Sequence, residues 1–419
     1  MTAIKNFLKK YNLPLRYLLV ITTLAASYVS TISFIQLGIP NFGTITLGLD
    51  EKFVNTTIFL FALVCGGTAY LGGRYLLHRF RNDINAIILL HGLLIVIGLS
   101  VRSLAPMVNS ATGYLTWVLF MGVVSGLETV IIYALVFLLL PPAQRGITGG
   151  IITALAFGIA ATSLPDTWTL DAFLHDSLLP TLITYASYIM VLIFILGRPV
   201  SQAVVDQNVG EKPYRDYNFR NTFIVLTLVL FVDSFGFIRI VMGTDDFAAI
   251  TWHGGFSMLA YIGIVHVISA LVFGRIYDRK NPLFMMQISL ILFFAADLLF
   301  ALFYGIPHLQ MLLAYAFVLF YASAVSIYTI VYITLIADLV TKETMGNRYG
   351  VYIAVVGWIA SFISTGISLA LFNLISTRVH IILAAILSLV TLALLKILFK
   401  DTSLPPSGKE PLGEKDSDI

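Results

Sequence analysis

Apolar residues run in blocks of about 20 along nearly the whole chain, separated by short polar turns, and a block of that length crosses a bilayer core as a helix. The helical form follows because lipid offers the backbone no hydrogen-bond partner. The blocks predict about twelve spans, at roughly 15–38, 54–77, 84–105, 113–140, 146–165, 178–197, 220–243, 253–274, 282–305, 309–336, 348–373 and 377–399. The count is even, so both termini share one side. A polar stretch, RPVSQAVVDQNVGEKPYRDYNFRN, divides the spans six and six. The expected organisation is a bundle over 1–197, a linker over 198–219, a second bundle over 220–399 and a disordered tail over 400–419. The N-terminal apolar block runs on to Gly38 without a small-residue cleavage site, which reads as a retained first span. The fold class is an all-α integral membrane protein with two pseudo-symmetric six-helix bundles.

Composition agrees: 58% of the 419 residues are hydrophobic and 11% charged, against about 25% charged in ordinary soluble domains. A net charge of +3 implies no nucleic-acid partner. The single cysteine, Cys65, excludes an intrachain disulfide. Basic residues alternate with the spans: Lys5, Lys9, Lys10 and Arg16 precede the first, Arg74, Arg79 and Arg81 follow the second, and Arg275, Arg279 and Lys280 follow the eighth. The opposite loops hold Asp50, Glu51, Asp166, Asp171, Asp176, Asp245 and Asp246. By the positive-inside rule both termini are cytoplasmic, in a multi-pass protein of the plasma (inner) membrane.

Three short turns carry a resemblance. GRIYDRKNP supplies Gly274, Asp278 and Arg279 in a G-x-x-x-D-R pattern between spans 8 and 9. IADLVTKETMGNRYGVY supplies Asp338, Glu343, Arg348 and Gly350 between spans 10 and 11, and PPAQRG supplies Arg145 and Gly146 between spans 4 and 5. With two six-helix halves, these turns resemble the major facilitator superfamily. Gly274 permits close helix approach, and Asp278 can offer its carboxylate to the N-terminal end of span 11 and to Arg348. The resemblance implies that this contact latches the outward-facing state. The first half departs from the pattern, because GGRYLLHRFRN has Leu77 and His78 where the family has Asp and Arg.

Charges at membrane depth cost at least a few kcal/mol each. Glu128 lies near the middle of span 4 and Asp233 near the middle of span 7. The resemblance places spans 1, 4, 7 and 10 around a central cavity, which makes the two acids candidates for proton coupling. The alternative is a neutral or paired acid that ties helices together. Arg239 lies six residues from Asp233, on a different helix face and nearer the depth of Asp297 or of Asp245 and Asp246. It can bind an anionic substrate or close an outer gate. Arg102 reads as snorkelling to the outer interface. Asp297 calls for a buried partner that the sequence does not name.

Polar stripes add candidate substrate contacts: Thr23, Ser27 and Ser30 with Tyr28 and Gln36 on span 1, Tyr133 on span 4, Tyr321, Tyr328 and Tyr332 on span 10, and Trp358, Ser361, Thr365 and Ser368 on span 11. Each of these types also serves plain helix packing or interfacial anchoring. The acids and His175 of DTWTLDAFLHDS read as solvated loop charge, and so do Asp245 and Asp246 with His253, so no metal is expected. The chain carries no phosphate-binding loop, and its seven histidines are scattered, so neither a cofactor nor an enzymatic activity is expected. The leading function is secondary transport of a small organic solute by alternating access, coupled to protons, by a monomer. The alternatives are a non-transporting sensor or scaffold on the same fold and a lipid-acting membrane enzyme.

Overall fold

A computed structural model describes residues 15–31, 38–162, 178–197, 200, 205, 217–243, 247, 250–251, 255–279, 281–372 and 374–400. Their long helices follow the predicted order. In the first half these are α1 (Leu15–Val29), α2 (Glu51–Leu71), α3 (Ile84–Arg102), α4 (Ala111–Leu139), α5 (Arg145–Thr162) and α6 (Leu178–Gly197). In the second half they are α7 (Phe219–Gly243), α8 (Gly255–Arg279), α9 (Pro282–Phe303), α10 (Gln310–Leu339), α11 (Met345–Tyr352, continued over Ala360–Leu371) and α12 (Thr377–Leu398). Nine helices of the described residues are long and apolar enough to cross a bilayer. The predicted linker and tail lie almost wholly outside the described residues.

Helix starts follow local chemistry. Side chains of Asp50, Asp83, Ser110, Asn281 and Ser376 accept hydrogen bonds from the first-turn amides of α2, α3, α4, α9 and α12. Gly305, at φ 88°, sits just past the end of α9, where a left-handed residue terminates a helix. Three stretches wind as π-helix: Phe42–Thr46 beyond α1, Gly72–Leu77 at the end of α2, and Ile353–Ile359 within α11.

The two halves repeat one packing scheme. In the first, α1 packs on α5 and α6, α4 on α2 and α3, and α3 on α6; in the second, α7 packs on α11 and α12, α10 on α8 and α9, and α9 on α12. Across the halves, α8 lies along α5 in the most extensive helix contact among the described residues, and α2 lies along α11. Large apolar side chains stay exposed on α3, α6, α9 and α12, among them Leu93, Leu192, Ile291 and Ile386. In water such a belt would drive aggregation; in lipid it is the expected outer surface, and the chain is a multi-pass membrane protein.

Candidate functional site

The halves meet most closely at the end that carries the basic loops. There the chain runs from α4 through Pro141 and Pro142 into α5, which begins at Arg145. The Asp278 carboxylate accepts from the backbone N–H groups of Gly146 and Ile147, both at 2.8 Å. It therefore caps α5, whose amides and dipole favour an anion there. The expected docking of Asp278 on α11 and Arg348 is corrected: α8 lies against α5, so the end of α8 reaches the start of that helix. Arg348 instead donates to the carbonyl of Leu339 at the end of α10, its guanidinium 4.9 Å from the Phe219 ring centroid. Arg279 is exposed at the end of α8.

Arg145 is fully buried and ion-pairs with Asp338 of the opposite half. It also donates to the carbonyls of Leu140 (3.2 Å) and Phe137 (3.3 Å), while the Tyr277 hydroxyl donates to Asp338 at 2.9 Å. Gly274 makes this joint possible, because a Cβ there would lie 2.8 Å from the Gly146 carbonyl oxygen and 3.0 Å from the Gly150 Cα. The sequence motif missed the partner of Asp338, since Arg145 is 193 positions away.

Deeper in the second half, Asp233 of α7 accepts from the hydroxyls of Tyr321 and Tyr328, the latter at 2.7 Å. These two tyrosines, expected to contact a solute, thus donate to a carboxylate. Asp297 of α9 is buried beside Gly236, one turn along α7 from Asp233; a Cβ on Gly236 would stand 3.2 Å from its Oδ1. Arg239 belongs to neither acid. It donates to the Ile375 carbonyl (3.2 Å) and the Thr377 hydroxyl (3.0 Å), and lies 4.5 Å from the Phe372 ring centroid. It ties α7 to the turn between α11 and α12. Asp245 and Asp246, with His253, lie outside the described residues, as do Gln36 and the acids of the 163–177 loop.

Between the halves Tyr28 and Tyr133 share a 2.5 Å hydroxyl contact, Tyr133 meets Tyr332 edge-on at 5.3 Å, and Tyr332 stacks on Tyr352 at 5.1 Å. These rings connect α1, α4, α10 and α11 across the space between the halves. The hydroxyl stripe of α11 is likewise occupied: Ser361 pairs with Ser234 (2.6 Å), and Ser364 and Ser368 donate to the carbonyls of Phe231 and Phe235 of α7.

A cavity of about 110 Å³ opens between α1, α3, α4 and α6, with Trp358 of α11 as a wall from the second half. Glu128, Ser27, Ser30 and Arg102 line it. Arg102, expected to snorkel to the outer interface, thus also borders this space. The readable signal was its stripe on α3, where Ile95, Gly98 and Leu99 line the same space at helical spacing. Among the described residues Glu128 has no hydrogen bond or ion pair.

The second half matches the family model of the Major Facilitator Superfamily over residues 223–419. That half is a major facilitator superfamily sequence. Two solved structures share the fold. One is the human organic anion transporter MFSD10 (TETRAN), with TM-score 0.62 and 15% identity over 91% of this chain and 98% of that one. The other is the superfamily's proton:xylose symporter XylE bound to 6-bromo-6-deoxy-D-glucose, with TM-score 0.65 and 14% identity over 93% of this chain and 96% of that one. No curated protein sequence matches the chain. That match and the shared fold agree with the twelve long helices of the described residues in two repeated sets and with glycine-mediated contact between the halves at their basic ends.

Proposed function

We propose that the chain is a secondary transporter of a small organic solute, driven by protons through Asp233 and Glu128. The observation that carries this reading is the setting of those two acids. A carboxylate kept for structure at membrane depth needs a cation, as Asp338 has in Arg145. Asp233 has only phenols, and Glu128 faces a cavity without a partner among the described residues. Groups so placed are free to exchange a proton as their surroundings change, which is what coupling requires. The joined basic ends support an outward-facing state, in which release of the α5–α8 and α2–α11 contacts opens the other side. Loop charge supports cytoplasmic termini, the helix repeat supports a break at residues 198–219, and a monomer of the plasma membrane is the simplest form.

In proteoliposomes, solute uptake should follow an imposed pH gradient, and Asp233→Asn or Glu128→Gln should uncouple it while leaving solute exchange measurable. Unchanged gradient dependence in both variants would sink the assignment of these acids.

A further inference from the structure

Three threonines present only acceptors to the cavity of the first half. Thr23, Thr31 and Thr129 line it, and their hydroxyl protons are spent on the carbonyls of Leu19 (2.7 Å), Ser27 (2.9 Å) and Ser125 (2.6 Å) of their own helices. What these oxygens have left is lone pairs. Glu128 adds a carboxylate, whose ionised form accepts and never donates, and it has no hydrogen bond or ion pair among the described residues. Hydroxyls of Ser27, Ser125 and Ser187, on α1, α4 and α6, line the same space without a partner among the described residues and can turn a lone pair inward. Ser125 stands one turn from Glu128 on the same face of α4. Arg102, by contrast, is engaged by a partner of its own. The charge of the cavity that lacks a counter-charge is therefore one carboxylate, surrounded by acceptors.

We propose that this cavity binds a small primary alkylammonium ion, with its charge on Glu128 and its remaining N–H groups on the surrounding hydroxyls. An ammonium carries three donors and no acceptor, which is the complement of this lining. An anion would meet Glu128 as a like charge, and a neutral polyol would leave that carboxylate without a counter-ion at membrane depth. Ile95, Leu99, Met121 and Val124 wall the rest of the space and take a short alkyl chain. A volume of about 110 Å³ lies well below the several hundred Å³ of pockets for drug-sized ligands, so the solute is small. Trp358 closes the cavity from the second half, and an indole is the aromatic ring that best receives a cation. A seated solute thus touches both halves, so occupancy can favour one arrangement of them over another. The inference rests on the reading of the chain as a carrier and names its solute class, but it concerns equilibrium binding alone.

The test uses the purified full chain at constant ionic strength, with no gradient. Ethylamine and ethanolamine are the ammonium probes; alanine adds a carboxylate, propionate has the carboxylate alone, xylose has no charge, and sodium chloride supplies an inorganic cation. Ligand-induced rise in melting temperature is the readout. Ethylamine or ethanolamine should stabilise the protein, and the four other probes should need concentrations about thirtyfold higher or more, because each leaves Glu128 poorly paired or adds a like charge. Glu128→Gln, if it melts like the unaltered protein without ligand, should raise the amine concentration needed by about thirtyfold. Any of the four other probes acting as well as the amines, no response to either amine, or an unchanged amine response in Glu128→Gln would each overturn the proposal. The probe series on the unaltered protein decides the matter even where the variant fails to fold. Amine binding together with flux that ignores a pH gradient would uphold this inference and sink proton coupling, whereas gradient-driven flux of another solute with no amine response would do the reverse.

Discussion

The α5–α8 contact and the α2–α11 contact occupy equivalent places in the repeat and are built differently. α8 meets α5 through glycine and charge: Gly274 sets the distance, Asp278 caps α5, and Arg145 pairs with Asp338 behind it. α2 meets α11 through glycine and apolar contact, with Phe61 edge-on to Trp358 at 5.8 Å. A Cβ on Gly73 would collide with the backbone of Gly346 and Gly350, while Leu77, where the family has its acid, is fully buried. The difference separates two parts of one motif. Glycine decides how near two helices come; the carboxylate decides at what register and orientation they stop, because a charge-assisted hydrogen bond is directional and dispersion is not. Both carboxylates of the joint, Asp278 and Asp338, come from the second half and act on the start of α5.

The largest expected effect is at the ion pair. Arg145→Ala strands the buried Asp338 carboxylate and should cost about 3–5 kcal/mol of the closed arrangement, read as lower melting temperature and faster labelling of a cysteine introduced at the basic end. Arg348→Ala, at the matching position of the repeat, loses a carbonyl hydrogen bond and a ring contact, for about 1–2 kcal/mol. Equal losses would erase the asymmetry.

Gly73→Ala and Gly274→Ala should each cost about 1–3 kcal/mol, because their neighbours are backbone and cannot step aside. Gly67→Ala meets no atom within 4 Å and should leave melting and labelling unchanged. A Gly73 variant as harmless as the Gly67 variant would show that α2–α11 is not closely held. The smallest effect is Asp278→Asn, which removes the charge and leaves α5 one acceptor where the carboxylate offers two, for about 1 kcal/mol in labelling rate. A larger loss would mean that charge, rather than hydrogen bonding, carries this cap.

Much of this was legible beforehand. The predicted span 309–336 became Gln310–Leu339, and 377–399 became Thr377–Leu398. Glu128 was singled out as an acid in an apolar run, and it faces a cavity. Tyr321 and Tyr328 were singled out by spacing, and spacing was right about their shared face but silent about what lay opposite. Arg239 and Arg102 could be placed by depth alone. Depth along a helix can be counted from sequence, whereas the neighbour at that depth belongs to another helix: for Arg239 the turn at Ile375 and Thr377, for Arg102 the cavity shared with α4.

Insertion into lipid depends on each span's own composition, and the terms add residue by residue, so the chain by itself determined that it crosses the bilayer about twelve times in two sets. Which carboxylate meets which cation depends on helix crossing and register, set jointly by glycines and side chains far apart in the chain. Arg145 with Asp338, Asp278 on α5 rather than α11, and Arg102 on the same cavity as Glu128 were therefore decided only by the tertiary structure.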